Sequence, residues 1–298
     1  MRRKCTFFIF LLCFCFLHLE TAQVVLISGA NRGIGLSTAC RLASKGYIVY
    51  AGARKSSSVT ALSQACEEFP GNLYRVELDV TDQNLVDLAV NTVISREGRI
   101  DVLVNNAGIE ILGSIENHTV EEAKRLFDVN FFGSMRLSQA VLPFMRAQNR
   151  GRIIQISSRS GFRPLPSISM YAATKFALEG ISETMAATLK PWNIQVSLIE
   201  PGPVSSEMDF LAPYGSKLLP ENDPFKLLFE KAGLLDPVSP IAQTPGEIAV
   251  FVQEAIESDE PLFRYQTTKA IQEQAGMRFV DITGNSHVKE WESVLNPK

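Results

Sequence analysis

Six short runs rich in branched apolar residues alternate with longer helical stretches: VVLIS at 24–28, IVYAG at 48–52, LYRVEL at 73–78, DVLVN at 101–105, RIIQIS at 152–157 and IQVSLIE at 194–200. Runs this apolar are those of strands buried on both faces, and helix-length spacers between them join strands in parallel. The chain is therefore expected to build an α/β domain around a parallel sheet. IAVFVQEAI at 248–256 predicts a late helix and LFRYQ at 262–266 a last strand. No internal repeat or low-complexity tract interrupts the pattern.

Composition narrows the function. The 298 residues suffice for one large domain with a full core or two small ones. Twenty-nine Lys and Arg against 32 Asp and Glu leave a formal charge of −3, which excludes a generally basic nucleic-acid binder and an acidic disordered chain. Cys5, Cys13, Cys15, Cys40 and Cys66 contain no C-x-x-C pair, which argues against a disulfide scaffold or a zinc ribbon. His18, His118 and His287 are scattered, so neither a metal centre nor a Ser-His-Asp hydrolase is expected.

The N-terminus has the order of a targeting segment. Arg2, Arg3 and Lys4 precede CTFFIFLLCFCFLHL at 5–19. As a helix this run reaches roughly 22 Å, short of the roughly 30 Å hydrocarbon core. Ala22 suits a cleavage site while Glu20 does not. Residues 1–22 are read as a membrane-associating or signal-type segment, with an unnamed targeting role or a gene-prediction artefact as the alternatives. The folded domain is expected over 23–298. Without the segment, the protein would be cytosolic.

The first apolar run leads into SGANRGIG at 28–35 and then a helical stretch. Strand, glycine turn and helix present unpaired amides with no side chains in the way, which is what a pyrophosphate needs. Gly29, Asn31, Arg32, Gly33, Ile34 and Gly35 are the expected cradle; a plain tight turn is the alternative. A NAD site would place an acidic residue after the second strand, whereas a 2′-phosphate calls for arginine. That region reads AGARKSSS, with Arg54 and Lys55 and no Asp or Glu between Thr21 and Cys66. Arg54, with Arg32 in the loop, favours NADP(H); a solvated turn is the other reading of Arg54 and Lys55.

Tyr171 and Lys175 lie four apart in SMYAATKFALEGI, and so share one helix face. A phenol of pKa ~10 is a poor acid or base at neutral pH, but an adjacent ammonium pulls it down. Thirteen residues upstream, at the end of the fifth run, Ser158 is placed to hold a substrate oxygen, with Ser157 as its neighbouring alternative.

Taken together these segments resemble the short-chain dehydrogenase/reductase family. SGANRGIG matches its T-G-x-x-x-G-I-G loop with Ser28 for threonine, NNAG at 105–108 its sheet-stabilising motif, YAATK its Y-x-x-x-K, and Pro201-Gly202 the turn after its sixth strand. The resemblance spans about 23–262. It implies a single Rossmann-like, doubly wound parallel sheet with helices on both faces. It also implies a catalytic tetrad of Asn130, Ser158, Tyr171 and Lys175. Tyr171 would exchange the proton, Ser158 polarise the carbonyl, Lys175 bind the nicotinamide ribose, and Asn130 hold a water linking Lys175 to solvent. Asp79 and Val80 would flank the adenine, and Asn106, Ala107, Gly108, Pro201, Gly202 and Val204 complete the cofactor set.

EPGPVSSEM and RYQTTKAI look like the branch of estradiol-type 17β-hydroxysteroid dehydrogenases and photoreceptor-type retinol dehydrogenases, which implies a bulky apolar alcohol or carbonyl substrate of steroid, retinoid or lipid type. Eight of the 15 prolines fall between Pro201 and Pro245, among apolar residues such as Phe210, Leu211, Leu218, Leu219, Phe225, Leu228 and Phe229. This stretch, about 203–244, is read as an insertion covering the substrate, or else as a surface connection. Phe162, Pro164 and Leu165 fit the same apolar pocket. A dinucleotide-binding regulator without turnover is the competing function. The stretch around TVEEAKRLFDVNFFGSMRLSQAVLPFM and the Tyr171 helix are long and apolar enough to pack against a second copy of the chain, the homodimer that the resemblance implies for many members; a monomer held at a membrane is the alternative. Asn117-His118-Thr119 is a glycosylation sequon, but Thr119 with Glu122 reads better as a helix capping box.

Overall fold

The computed structural model describes residues 22–55, 60–206, 213–217, 223–231, 242–279 and the single positions 283, 285 and 289. The expected N-terminal segment, apart from Ala22, lies outside the described residues, as do Phe210, Leu211, Leu218 and Leu219 of the expected cover. Among the described residues no helix is long and apolar enough to cross a membrane.

Seven strands form one sheet: β1 (Val24–Ile27), β2 (Ile48–Ala53), β3 (Leu73–Glu77), β4 (Val102–Asn105), β5 (Gly151–Ile156), β6 (Ile194–Glu200) and β7 (Arg264–Gln266). Their order is β3-β2-β1-β4-β5-β6-β7, and every pairing is parallel. The helices are α1 (Gly33–Ser44), α2 (Thr60–Glu68), α3 (Gln83–Glu97), α4 (Val120–Phe127), α5 (Gly133–Gln148), α6 (Ser169–Thr188), α7 (Lys226–Lys231), α8 (Pro245–Glu257) and α9 (Lys269–Arg278). This is a Rossmann-like α/β fold.

Side chains alternate across each strand, so the apolar runs split into two cores. Val25, Ile27, Val49 and Ile154 pack on one face with Leu42 of α1, Leu62 of α2 and Val252 of α8. Val24, Leu26, Leu103 and Ile153 pack on the other with Val90 of α3 and Val141 of α5. Edge strand β3 departs from the all-buried pattern: Arg75 and Glu77, two apart and so on one face of the sheet, are exposed to water.

Strand ends are shorter than the apolar runs suggest. Ser28 and Ser157 fall just past β1 and β5, and Leu262 and Phe263 precede β7. The long stretch after Thr119 is divided in two by a π-helical turn at Asp128–Phe132 between α4 and α5. Thr119 and Glu122 form the capping box of α4, with Thr119 N donating to Glu122 Oε2 at 2.8 Å and Glu122 N to Thr119 Oγ1 at 3.1 Å. Strands are added in one direction from β1 to β3 and in the other from β4 to β7, so the crevice for a ligand opens at the carboxyl ends of β1 and β4, where that order switches.

Candidate active site

The crevice begins with the loop from β1 to α1. Gly29 and Gly33 adopt φ of +64° and +56°, which side-chain-bearing residues rarely take. A Cβ on Gly29 would come within 2.8 Å of Ala107 Cα, and one on Gly35 within 2.5 Å of Gly29 O. Gly33 has a different surrounding: among the described residues the nearest atom to its absent Cβ is Ser206 Cβ at 3.8 Å, an ordinary contact. Helix α1 starts at Gly33 with Arg32 as an extended cap that makes no side-chain capping bond, and its first turn carries no acidic residue. Asn31, Arg32, Ile34 and this first turn fit a diphosphate at a helix N-terminus.

The loop is fastened to the end of β4 by a hydroxyl. Ser28 Oγ accepts from the amides of Asn106 and Ala107 at 3.0 Å each, and Asn106 Nδ2 returns bonds to Ser28 O at 2.9 Å and Gly29 O at 3.0 Å. Gly108 follows directly. Arg54 is exposed immediately after β2, where a 2′-phosphate reader belongs. Asp79 Oδ1 accepts from Thr81 N at 3.0 Å and Oγ1 at 2.7 Å, fixing the turn after β3. Val80 packs against Gly133, where a Cβ would meet its Cγ2 at 2.6 Å. After β6, Pro201 O accepts from Arg159 N at 2.8 Å, Gly202 lies against Ile271, and Val204 bridges to Gln243.

The four residues expected to react come from three places. Asn130 sits in the π-helical turn and is 1% exposed. Its Oδ1 accepts from Ile109 N at 2.8 Å, while Nδ2 donates to Ile109 O at 2.9 Å and Thr174 Oγ1 at 3.1 Å. Thr174 Oγ1 in turn donates to Tyr171 O at 2.7 Å. Asn130 is thereby coupled to the turn of α6 that carries Tyr171 and Lys175.

Lys175 Nζ donates to Ile156 O at 2.8 Å and stands 5.5 Å from the centre of the Tyr171 ring. Burial pulls its pKa down from 10.5 to about 8, against the opposing charges of Glu179 and Glu110. Two residues past Ile156, Ser158 caps a short 3-10 turn by accepting from Ser160 N at 3.1 Å. A hydroxyl that accepts one amide can still donate its proton to a substrate oxygen. Its neighbour differs: Ser157 is buried and its hydroxyl donates to Glu179. The structure thus separates two serines that the sequence leaves adjacent.

The model of the short chain dehydrogenase family matches residues 23–212. The chain belongs to that family. Human retinol dehydrogenase 8 is 35% identical over 92% of this short-chain dehydrogenase and 90% of the relative. Human 17-beta-hydroxysteroid dehydrogenase type 1 is 36% identical over 89% of this chain and 83% of that one. A 3-ketodihydrosphingosine reductase of Bacteroides thetaiotaomicron is 43% identical over 180 residues, 60% of this chain; that alignment spans 63% of the relative's length. Among solved structures, a short-chain dehydrogenase from Streptomyces avermitilis superposes with a TM-score of 0.77 at 29% identity, covering 92% of this chain and 98% of that one. An alcohol dehydrogenase from Thermococcus sibiricus, complexed with 5-hydroxy-NADP, gives 0.67 at 25%, covering 83% and 96%. This short-chain dehydrogenase is accordingly an oxidoreductase of the kind that acts on CH-OH groups.

Several contacts were not foreseen from the sequence. The Ile109 backbone that holds Asn130 and the Ile156 carbonyl that holds Lys175 carry no sequence signal. Glu179 does: it stands four residues beyond Lys175, on the same face of α6.

Proposed function

We propose that the protein is an NADP(H)-dependent oxidoreductase for bulky apolar alcohols or carbonyls of steroid, retinoid or lipid type. The observation that carries this reading is Lys175, buried, bonded to Ile156 O and set against the Tyr171 ring on the helix face that meets the end of β5. The left-handed Gly33 at the start of α1 and the absence of acidic residues from that first turn fit the diphosphate, and Arg54 fits the 2′-phosphate. The 5-hydroxy-NADP complex of the Thermococcus relative supports the same cofactor.

Bound NADP(H) supplies or accepts the hydride. The chain's own residues manage the oxygen and its proton. Ser158 donates to the substrate oxygen and withdraws charge from the carbonyl carbon. In reduction the Tyr171 hydroxyl gives its proton to that oxygen; in oxidation the Tyr171 oxygen takes it back. The ammonium of Lys175 favours the phenolate left on Tyr171 and holds the nicotinamide ribose. Asn130 has its side chain committed to Ile109 and Thr174, and its backbone carbonyl, which accepts from Ser134 Oγ at 3.3 Å, has a second lone pair for a water of the proton path.

An apolar substrate is supported by the retinol and hydroxysteroid relatives. The described part of the insertion supports it as well: Tyr214 bridges to Leu112, and Gly113 bridges to Ile168 at the start of α6, bringing 213–217 beside the reactive end of that helix. Val120 and Phe132, 65% and 44% exposed, offer an apolar face for a second copy of the chain. Light scattering of a Phe132→Glu variant tests the dimer, and liposome flotation of the full chain against 23–298 tests membrane association.

The deciding experiment is NADPH oxidation with steroid ketones, retinal and fatty aldehydes, beside Tyr171→Phe and an NADH control. Turnover that prefers NADPH and disappears in Tyr171→Phe, with NADPH still bound, is expected. A preserved rate in the variant would sink the assignment, and tight NADPH binding without turnover on any substrate would favour the regulator.

A further inference from the structure

Beneath the reactive groups, four parts of the fold meet on one buried set of charges. Glu179, one turn beyond Lys175 on α6, is 5% exposed. One of its oxygens accepts from the Ser157 hydroxyl, and the other pairs with the Arg264 guanidinium of β7. The same guanidinium nitrogen binds Glu200 at the end of β6, whose second oxygen accepts from Gln266 Nε2 at 2.5 Å. Glu183, a turn further along α6, stands 3.8 Å from Arg264.

Each anchor is next to a residue of the reaction. Ser157 precedes Ser158, Glu200 precedes the Pro201-Gly202 turn, and Glu179 shares its helix face with Lys175. The fit is tight, since a Cβ on Gly161 would lie 2.8 Å from Glu179 Cγ and 2.9 Å from Ser157 Oγ. Buried ion pairs are poor stabilisers, because desolvation offsets their attraction, so apolar packing of equal volume would hold these elements as well. Apolar packing would neither orient the Ser157 hydroxyl nor place a negative charge one turn from Lys175.

We propose that Glu179 is a positioning residue, setting the Ser157-Ser158 turn with one carboxylate oxygen while its charge sustains the Lys175 ammonium, with Arg264 and Glu200 as its anchor. This rests on Ser158, Tyr171 and Lys175 being the reactive set. The groups facing Glu179 are Arg264 from β7, Glu200 from β6, whose carboxyl burial and the neighbouring Glu179 push well above the usual carboxylate range, and Lys175 and Glu183 from its own helix; Ser157 faces it from the end of β5. Glu110 adds to the field at Lys175.

Two variants of the full-length protein test the assignment. Ser157→Ala leaves the ion pairs of Arg264 with Glu179, Glu200 and Glu183 in place; its kcat is expected to fall about tenfold with KM within about threefold. Glu179→Gln removes the negative charge. In it the Lys175 titration, followed by lysine 13Cε NMR and assigned with Lys175→Met, is expected to move down by about one pH unit. Wild-type kcat in Ser157→Ala overturns the proposal, even if its Tm falls. So does an unmoved Lys175 midpoint in Glu179→Gln. Should Glu179→Gln not fold, Ser157→Ala decides. Failure of the underlying reading shows separately, as turnover that survives Tyr171→Phe.

Discussion

Lys175 Nζ is bonded at 2.8 Å to the Ile156 carbonyl, so the sole ammonium of α6's reactive turn is held by the strand that leads to Ser158. Its pKa of about 8 in the folded protein lies below the ordinary 10.5. Between these values the folded chain binds fewer protons than the unfolded one, so stability contributed by this group rises as pH rises through the window. The Tm difference between wild type and Lys175→Met, followed from pH 7.5 to 10, is expected to shift in favour of wild type as pH increases.

The same titration acts on the cofactor in the opposite sense. If Lys175 holds the nicotinamide ribose as proposed, loss of the ammonium above about pH 8 removes a charge-assisted donor to it. Fluorescence titrations are expected to show NADPH affinity falling between pH 7.5 and 9, and a Lys175→Met variant to be weaker throughout and flat across that range.

Ser28 is expected to be irreplaceable except by threonine. Its hydroxyl accepts from two amides at 3.0 Å, so Ser28→Ala leaves Asn106 N and Ala107 N unpaired in the crevice. That costs about 1–3 kcal/mol for each amide that water cannot reach, measured by denaturant unfolding. Ser28→Thr keeps the oxygen and should stay within about 1 kcal/mol of wild type.

Asn130→Leu removes both bonds to Ile109 and the bond to Thr174. Urea unfolding should show a loss of about 2–4 kcal/mol, with kcat reduced in whatever protein remains folded.

Arg54→Asp replaces the exposed arginine after β2 with the acid that suits a ribose hydroxyl. NADPH is expected to weaken about a hundredfold and NADH to change little or improve. Equal loss of both in binding titrations would remove Arg54 from the cofactor site.

Much of this arrangement was legible in the sequence, because the features that show are local. The alternating apolar runs, the glycine loop, the Tyr171–Lys175 spacing and the Thr119–Glu122 capping box all lie within a few residues of one another. What stayed hidden depends on distance along the chain. Ser28 reaches amides 78 and 79 residues away, and Arg264 joins Glu179 and Glu200 across 85 and 64 residues. LFRYQ reads as a strand whichever charged residue it carries, so nothing marked Arg264 as the centre of a buried charge cluster. The π-helical turn was hidden for another reason: the apolar residues of VNFFG do not mark whether a backbone amide bonds four or five residues back, and it is the bond from Gly133 N to Asp128 O that makes the turn π-helical.

Asn117 carries a further consequence. Its side chain is 0% exposed, its Oδ1 accepts from both Ser114 N and Ser114 Oγ at 2.7 Å, and its backbone carbonyl holds Lys217 N at 2.9 Å. An oligosaccharide on that nitrogen has no room in the finished fold. Were the chain to enter a compartment with a glycosylating enzyme, the sequon would stay open only until the segment at 213–217 docked. A sugar at Asn117 would therefore record which came first, modification or folding.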